Sequence, residues 1–189
     1  MTKITLTDKI LDRTVLPFIP KWITPNAVTC FRFATIPFVC YLFASEQYNY
    51  GLILFLISAF SDALDGSMAR TRNQITEWGK MFDPLADKLL IGVSVFILVS
   101  KFLNPYLAAT IILIEFFIIT SAYYRKHAHG VPIEAELSGK IKMVLESLGM
   151  ISILFGVILG MGQFFIIAYY LVYLAIVFAI ISLVVYKSI

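Results

Sequence analysis

Charge is what this sequence has least of. Of its 189 residues, 14% are Asp, Glu, Lys or Arg, while 60% are apolar. An average soluble domain is about 25% charged, and a chain of this size cannot hide so much apolar surface in one core. An ordinary water-soluble domain is therefore excluded. Disorder is excluded too, because chains that stay unfolded are poor in apolar residues. Cysteine is also scarce. Cys30 and Cys40 on one helix would stand roughly 15 Å apart along its axis, too far to bridge each other. With no Cys-x-x-Cys and no Cys/His cluster, a zinc site is not expected. His127 and His129 fall in a polar stretch and read as solvated loop residues. The net charge of +3 gives no case for nucleic acid. The start of the chain does not read as a signal peptide, because Asp8 and Asp12 leave no cleavable apolar core.

What the chain does have is long hydrophobic runs. A membrane helix needs roughly 20 apolar residues, and six such stretches follow one another at about 26–45, 50–68, 81–101, 105–124, 139–160 and 163–186. The expectation is an all-α integral membrane fold of six transmembrane helices. Residues 1–21 mix Ile4, Leu6, Ile10, Leu11, Val15 and Leu16 with Lys3, Asp8, Lys9, Asp12 and Arg13, and read as an amphipathic helix lying on the membrane surface. Residues 22–189 form the membrane domain. Thr24-Pro25-Asn26 looks like a helix start, with Thr24 as cap and Pro25 in the first turn. Basic residues fall on one side: Lys3, Lys9, Arg13 and Lys21, then Arg70, Arg72 and Lys80, then Arg125, Lys126, Lys140 and Lys142, then Lys187. The other side holds Lys101 alone. The positive-inside rule then puts both termini in the cytoplasm, and the cell membrane is the expected location. Trp22, Trp78, Tyr48, Tyr50 and Tyr106 lie near the span ends, where interfacial aromatics belong.

Against this background four carboxylates stand out, since an ionised Asp at membrane depth costs several kcal/mol. Asp62 and Asp65 close the second span, three residues apart. Asp83 and Asp87 open the third, four apart. Each pair shares one helix face, and a short loop lets the faces meet. Carboxylates so gathered repel one another unless a cation sits among them. Oxygen ligands without His or Cys favour Mg²⁺, Mn²⁺ or Ca²⁺, and two such ions can clamp the attacking and leaving oxygens of a phosphoryl transfer. Gly66 and Ala69 remove side-chain bulk beside the carboxylates, so that a flat base or a phosphate approaches the helix closely. Arg70 offers donors to phosphate oxygens, Thr76 adds a hydroxyl, and Gly79 thins the helix one turn before Asp83.

The pattern Asp62-x2-Asp65-Gly66-x2-Ala69-Arg70-x8-Gly79-x3-Asp83-x3-Asp87 resembles, at every position, the signature of the CDP-alcohol phosphatidyltransferases. Thr24-Pro25-Asn26-x2-Thr29-x2-Arg32, Phe82-Asp83-Pro84-Leu85-Ala86-Asp87-Lys88 and Gly139-Lys140-Ile141-Lys142 are similar to the same family. The resemblance covers roughly residues 22–145. It implies a six-helix homodimer, its site open to the cytoplasm, that displaces CMP from a CDP-linked lipid with an alcohol acceptor. By position it implies two Mg²⁺ or Mn²⁺ ions held by Asp62, Asp65, Asp83 and Asp87, with Asp87 also the base that activates the acceptor. Gly66, Ala69, Arg70 and Thr76 would bind the CDP part of CDP-diacylglycerol, with Asn26 and Thr29 adding contacts.

The acceptor stays open. Arg125, Lys140 and Lys142 are placed to gather an anionic acceptor, and the Gly-Lys-x-Lys pattern is similar to family members that use glycerol 3-phosphate. The fourth span departs from those members: Ile114-Glu115 stands for an Arg-Glu pair, and Ala122 for a second Arg. The stretch around Tyr123-Tyr124-Arg125 is similar to cardiolipin synthases, whose acceptor is phosphatidylglycerol. Inositol phosphate and serine are further alternatives. A buried Glu115 would orient a basic residue or bond within the bundle. A different class, an ion- or proton-coupled transporter, would place its carboxylates near the midplane among broken helices or repeats, whereas these cluster at one face and no repeat is visible.

Overall fold

The hydrophobic runs become helices. The computed structural model describes the backbone of residues 6–20, 22–72, 74, 76–129 and 137–185, and the side chains of these except at positions 6, 7, 80, 122–129, 184 and 185. Among the described residues stand α1 (Leu6–Thr14), α2 (Pro25–Ala44), α3 (Tyr48–Thr71), α4 (Glu77–Phe102), α5 (Pro105–His129), α6 (Leu137–Leu159) and α7 (Gln163–Val185), with a 3-10 turn at Leu16–Phe18 and no strand. Each of the six apolar stretches lies within one of the helices α2 to α7, give or take a residue at the ends. Among the described residues, four helices are long and apolar enough to cross a membrane: α2, α3, α6 and α7 over Gln163–Leu183. Of the surface segment expected at 1–21, residues 1–5 and Lys21 lie outside the described residues.

The ends differ from expectation for local reasons. α2 begins as the sequence predicts, with the Thr24 hydroxyl accepting from the Ala27 N–H at 3.3 Å and Pro25 in the first turn. α4 starts at Glu77, ahead of the apolar run, because the Thr76 hydroxyl accepts the Gly79 N–H at 3.0 Å and caps it. α5 continues to His129, so His127 and His129 are helical and not loop residues.

The chain divides into two units, residues 1–90 and 91–189. In the first, α2 packs along α3, and α1 also packs on α3. The buried stripe of α2 runs through Thr29, Arg32, Thr35, Val39 and Phe43, and that of α3 through Gly51, Phe55, Ser58, Ser61 and Asp65. Gly51 is there for room: a Cβ at that position would lie 2.5 Å from the Phe43 ring. The polarity is the reverse of a soluble protein's. Thr, Ser, Arg and Asp face inward, while Phe31, Phe38, Tyr41, Ile53, Leu56, Ile57 and Phe60 face outward. In water such a surface would be an aggregation patch. In lipid it is the solvated side, and the polar seam supplies interhelical bonds.

In the second unit, α6 packs on α7 and α5 packs on α7. Gly149 and Gly156, two turns apart on α6, bring the backbones close: added Cβ atoms would lie 3.0 Å from Val172 and 3.1 Å from the Phe165 ring. α6 closes at Gly160, whose φ of +66° suits a residue without a side chain. The Met161 N–H then reaches the Gly156 carbonyl at 3.1 Å.

Candidate active site

The seam between α2 and α3 ends in a knot of charge. Arg32 is fully buried. Its guanidinium donates to Asp62 Oδ1 at 2.7 Å, to Asp65 Oδ2 at 2.6 Å and to Ser61 Oγ at 3.3 Å. One turn earlier on α2, the Thr29 hydroxyl donates to Asp83 Oδ1 at 2.6 Å and stands 3.3 Å from Asp65 Oδ2. Thr29 thus ties α3 to α4. The structure brings Asp62, Asp65 and Asp83 together around these two α2 side chains. Asp87, one turn beyond Asp83, stands where it interacts electrostatically with Asp62 and Arg32. Behind the knot, Thr35 shares a 2.7 Å hydrogen bond with Ser58 and donates to the Arg32 carbonyl at 2.8 Å.

The charges do not balance. Arg32 and Thr29 gather three carboxylates around one buried guanidinium, and Asp87 adds a fourth; Arg70 acts on Asp62 and Asp65, and Lys88 on Asp87, only as further cations nearby. Asp62 Oδ2, Asp65 Oδ1 and Asp83 Oδ2 take no part in the bonds above. Such an all-oxygen, anionic donor set fits a hard divalent cation. Among the described residues no three acidic, His or Cys side chains are grouped so as to hold an ion; Asp62 and Asp65 turn instead to Arg32, and Asp83 to Thr29.

A second cluster adjoins it at the start of α4. The Thr76 hydroxyl, besides capping the helix, donates to Asn26 Oδ1 at 2.8 Å. A Cβ on Gly79 would lie 3.2 Å from Thr76 Oγ1 and 3.4 Å from both Asn26 Oδ1 and Asp83 Oδ2. Three oxygens, one from α2 and two from the start of α4, therefore converge where Gly79 has no side chain. Trp78 stacks on Phe82 at 4.5 Å, and Phe82 meets Phe33 edge-on at 6.2 Å. On α3 the Arg70 guanidinium lies over Gly66, where a Cβ would come within 3.3 Å of both terminal nitrogens. Ala69 is half-buried, and its carbonyl accepts the Gln74 N–H at 3.0 Å in the turn after α3.

The sequence profile of the CDP-alcohol phosphatidyltransferases matches residues 22–181 of this chain. The chain belongs to that family. It is similar to the CDP-diacylglycerol–glycerol-3-phosphate 3-phosphatidyltransferase of Rickettsia felis, 30% identical over 135 residues that cover 70% of this chain and 75% of the relative. The Bacillus subtilis protein of the same name is 34% identical over 133 residues, 62% of this chain and 69% of the relative. The human cardiolipin synthase (CMP-forming) is 38% identical over 73 residues, 38% of this chain and 24% of the relative. The protein is thus a membrane-bound transferase of phospholipid biosynthesis, acting through a CDP-activated lipid.

Within this phosphatidyltransferase, the residues expected to meet the acceptor lie in the second unit. Lys140 is exposed. Lys142 is buried and ion-paired with Glu115, with Glu146 Oε1 at 3.6 Å. Glu115 therefore orients a basic residue, one of the two roles its position suggested. The side chain of Arg125 lies outside the described residues.

Three site features escape a reading of the sequence. Arg32 is visible there as part of a family-like helix start, yet its role as resident counter-ion is not. The available signal is an Arg inside an apolar span, which needs a partner. Thr29 and Thr76 read as ligand contacts, whereas the structure engages both hydroxyls in joining helices. Asp8 bonds Arg70 across 62 positions of sequence, and no local pattern announces it.

Proposed function

We propose that this enzyme transfers the phosphatidyl group of CDP-diacylglycerol to glycerol 3-phosphate and releases CMP. The observation that carries the reading is the joining of Asp62, Asp65 and Asp83 from two helices by Thr29 and Arg32, beside the Asn26, Thr76 and Gly79 cluster. The names of the bacterial relatives support the acceptor. Two Mg²⁺ or Mn²⁺ ions bound by Asp62, Asp65, Asp83 and Asp87 would supply the positive charge that a diphosphate needs to approach this site.

The chain's own residues do the rest. Gly66 and Ala69 let the CDP part lie close against α3, and Arg70 neutralises the phosphate that departs with CMP. Asn26, Thr29 and Thr76 border the nucleotide. Asp87 takes the proton of the acceptor hydroxyl. The hydroxyl oxygen forms the new ester bond to the lipid-side phosphorus. The bond from that phosphorus to the bridging oxygen breaks, and CMP leaves with the electron pair. Lys140, Lys142 and Arg125 attract the anionic acceptor. The fold that supports this is six membrane spans, α2 to α7, with the N-terminal segment lying amphipathically on the surface. Both termini and the site face the cytoplasm, and the enzyme is a homodimer in the cell membrane.

A second reading, phosphatidylglycerol as acceptor, is favoured by one observation: Lys142 is neutralised by carboxylates and does not stand open to a phosphate monoester. The test is competition. Purified enzyme receives CDP-diacylglycerol, Mg²⁺ or Mn²⁺, and glycerol 3-phosphate, phosphatidylglycerol, inositol phosphate and serine together, with products weighed by mass spectrometry. Phosphatidylglycerol phosphate as the dominant product supports the proposal. Cardiolipin or an inositol product as the dominant one overturns the acceptor, and absence of CMP overturns the donor.

A further inference from the structure

We propose that Asp8, on the N-terminal helix α1, is a positioning residue that sets the Arg70 guanidinium for the donor lipid's diphosphate. The inference rests on the reading of Arg70 as a donor-binding residue. Asp8 is 1% exposed, and a carboxylate so buried needs a strong partner. It finds one in a two-point fork: Arg70 Nε donates to Asp8 Oδ2 at 2.9 Å and the Nη2 group donates to Oδ1 at 2.7 Å. A fork of this kind fixes the plane of the guanidinium as well as its place.

Two constraints then define where the group lies. Asp8 holds one edge, and Gly66 leaves the space beneath it open. The Arg70 side chain stays 34% exposed, and Nη1 with the outer N–H of Nη2 is not used by Asp8. Those donors are the ones left for a phosphate. Asp8 also opposes a competing pull, because Arg70 interacts electrostatically with Asp62 and Asp65. Without Asp8 the guanidinium would be drawn into the carboxylate knot it adjoins, closing the space that a diphosphate requires.

The N-terminal segment has a separate anchor, which makes the idea testable. Arg72, at the end of α3, donates to the carbonyls of Leu16 and Ile23 at 3.3 Å and of Ile19 at 2.9 Å. Removing the charge of Asp8 therefore leaves the stretch that follows α1 held by Arg72. The experiment uses the full-length enzyme in lipid nanodiscs, with Asp8→Asn, Asp8→Glu, Arg70→Ala and the double variant Asp8→Asn/Arg70→Ala. Donor KM, kcat and inhibition by CMP are measured together with thermal stability.

The expected result is a donor KM about tenfold higher in Asp8→Asn, with CMP inhibition weakened in step and kcat little changed. Asp8→Glu recovers part of the loss. In the Arg70→Ala background Asp8→Asn adds nothing further. If Arg70→Ala raises donor KM but Asp8→Asn does not, the positioning role is overturned while the reading of Arg70 survives. If Arg70→Ala itself leaves donor KM unchanged, that reading fails and takes the inference with it. Equal effects of Asp8→Asn in both backgrounds would show a merely structural residue and overturn the proposal. Should Asp8→Asn not fold, Arg70→Lys carries the same test, since it keeps the charge but cannot form the fork. A wild-type donor KM in Arg70→Lys overturns the positioning role.

Discussion

Replacing Arg32 by Met tests the counter-ion role directly. Met approximates the length of the side chain but removes the charge and every donor. The two arms of Arg32 do not count equally. Asp62 is 47% exposed at its side chain, so its 2.7 Å pair is water-screened and contributes about 1 kcal/mol or less. Asp65 is 2% exposed. Stripping a buried carboxylate of the guanidinium it bonds costs about 3–5 kcal/mol. At about 2–4 °C per kcal/mol for a chain of this size, Arg32→Met should lower the melting temperature by on the order of 10 °C. Asp62→Ala should lower it by no more than about 4 °C. The assay is thermal unfolding in detergent, followed by the fluorescence of Trp78 and Trp22. Excess Mn²⁺ should restore part of the loss in Arg32→Met, because a divalent cation supplies charge to the same carboxylates. Equal, small shifts in Arg32→Met and Asp62→Ala would refute the reasoning, because the buried arm would then carry no more than the exposed one.

Asp87→Asn should keep CMP inhibition near its wild-type strength and lower turnover by about 10²–10⁴; turnover close to wild type would sink the base assignment. Gly51→Ala forces a methyl group to within 2.5 Å of the buried Phe43 ring, an overpacking worth about 1–3 kcal/mol, visible as an earlier unfolding transition with catalytic constants unchanged. Chelation with EDTA should abolish CMP release, and Mg²⁺ or Mn²⁺ should restore it; release that persists after exhaustive chelation would count against an ion at the four aspartates.

The helices and the aspartates were legible because both are local patterns. Apolar runs mark α2 to α7, and among the described residues four of these helices have the length and apolarity to cross a membrane. Asp62, Asp65, Asp83 and Asp87 recur at helical spacing, so their shared faces follow from 3.6 residues per turn. Helix ends were less legible, because caps decide them: the Thr76 hydroxyl starts α4 four residues before its apolar run. Least legible were contacts between distant segments. Periodicity says which side of α2 carries Thr29 and Arg32, but not that their partners are Asp83 on α4 and Asp65 on α3. It says still less about Asp8 and Arg70, which the sequence puts in a surface segment and just beyond the second apolar run. In the second unit, the pairing of Glu115 with Lys142 depends on how α5 and α6 are turned toward each other, which their nearly uniform apolarity leaves open.

The polar seam bears on how the chain enters a bilayer. Alone, α2 would carry Arg32 into lipid without a partner, and α3 would bring Asp62 and Asp65, near its C-terminal end, to the membrane unpaired. Paired, Arg32 meets both carboxylates and offsets one of their two charges. The connection is only Ser45–Gln47, in which Glu46 takes a φ of 65°, so each helix has its partner within one tight turn. The two helices each have the length and apolarity of a span, and pairing gives their charged groups partners. Their natural unit of membrane insertion is the hairpin, and a longer linker between them would slow assembly by prolonging the exposure of unpaired charge to hydrocarbon.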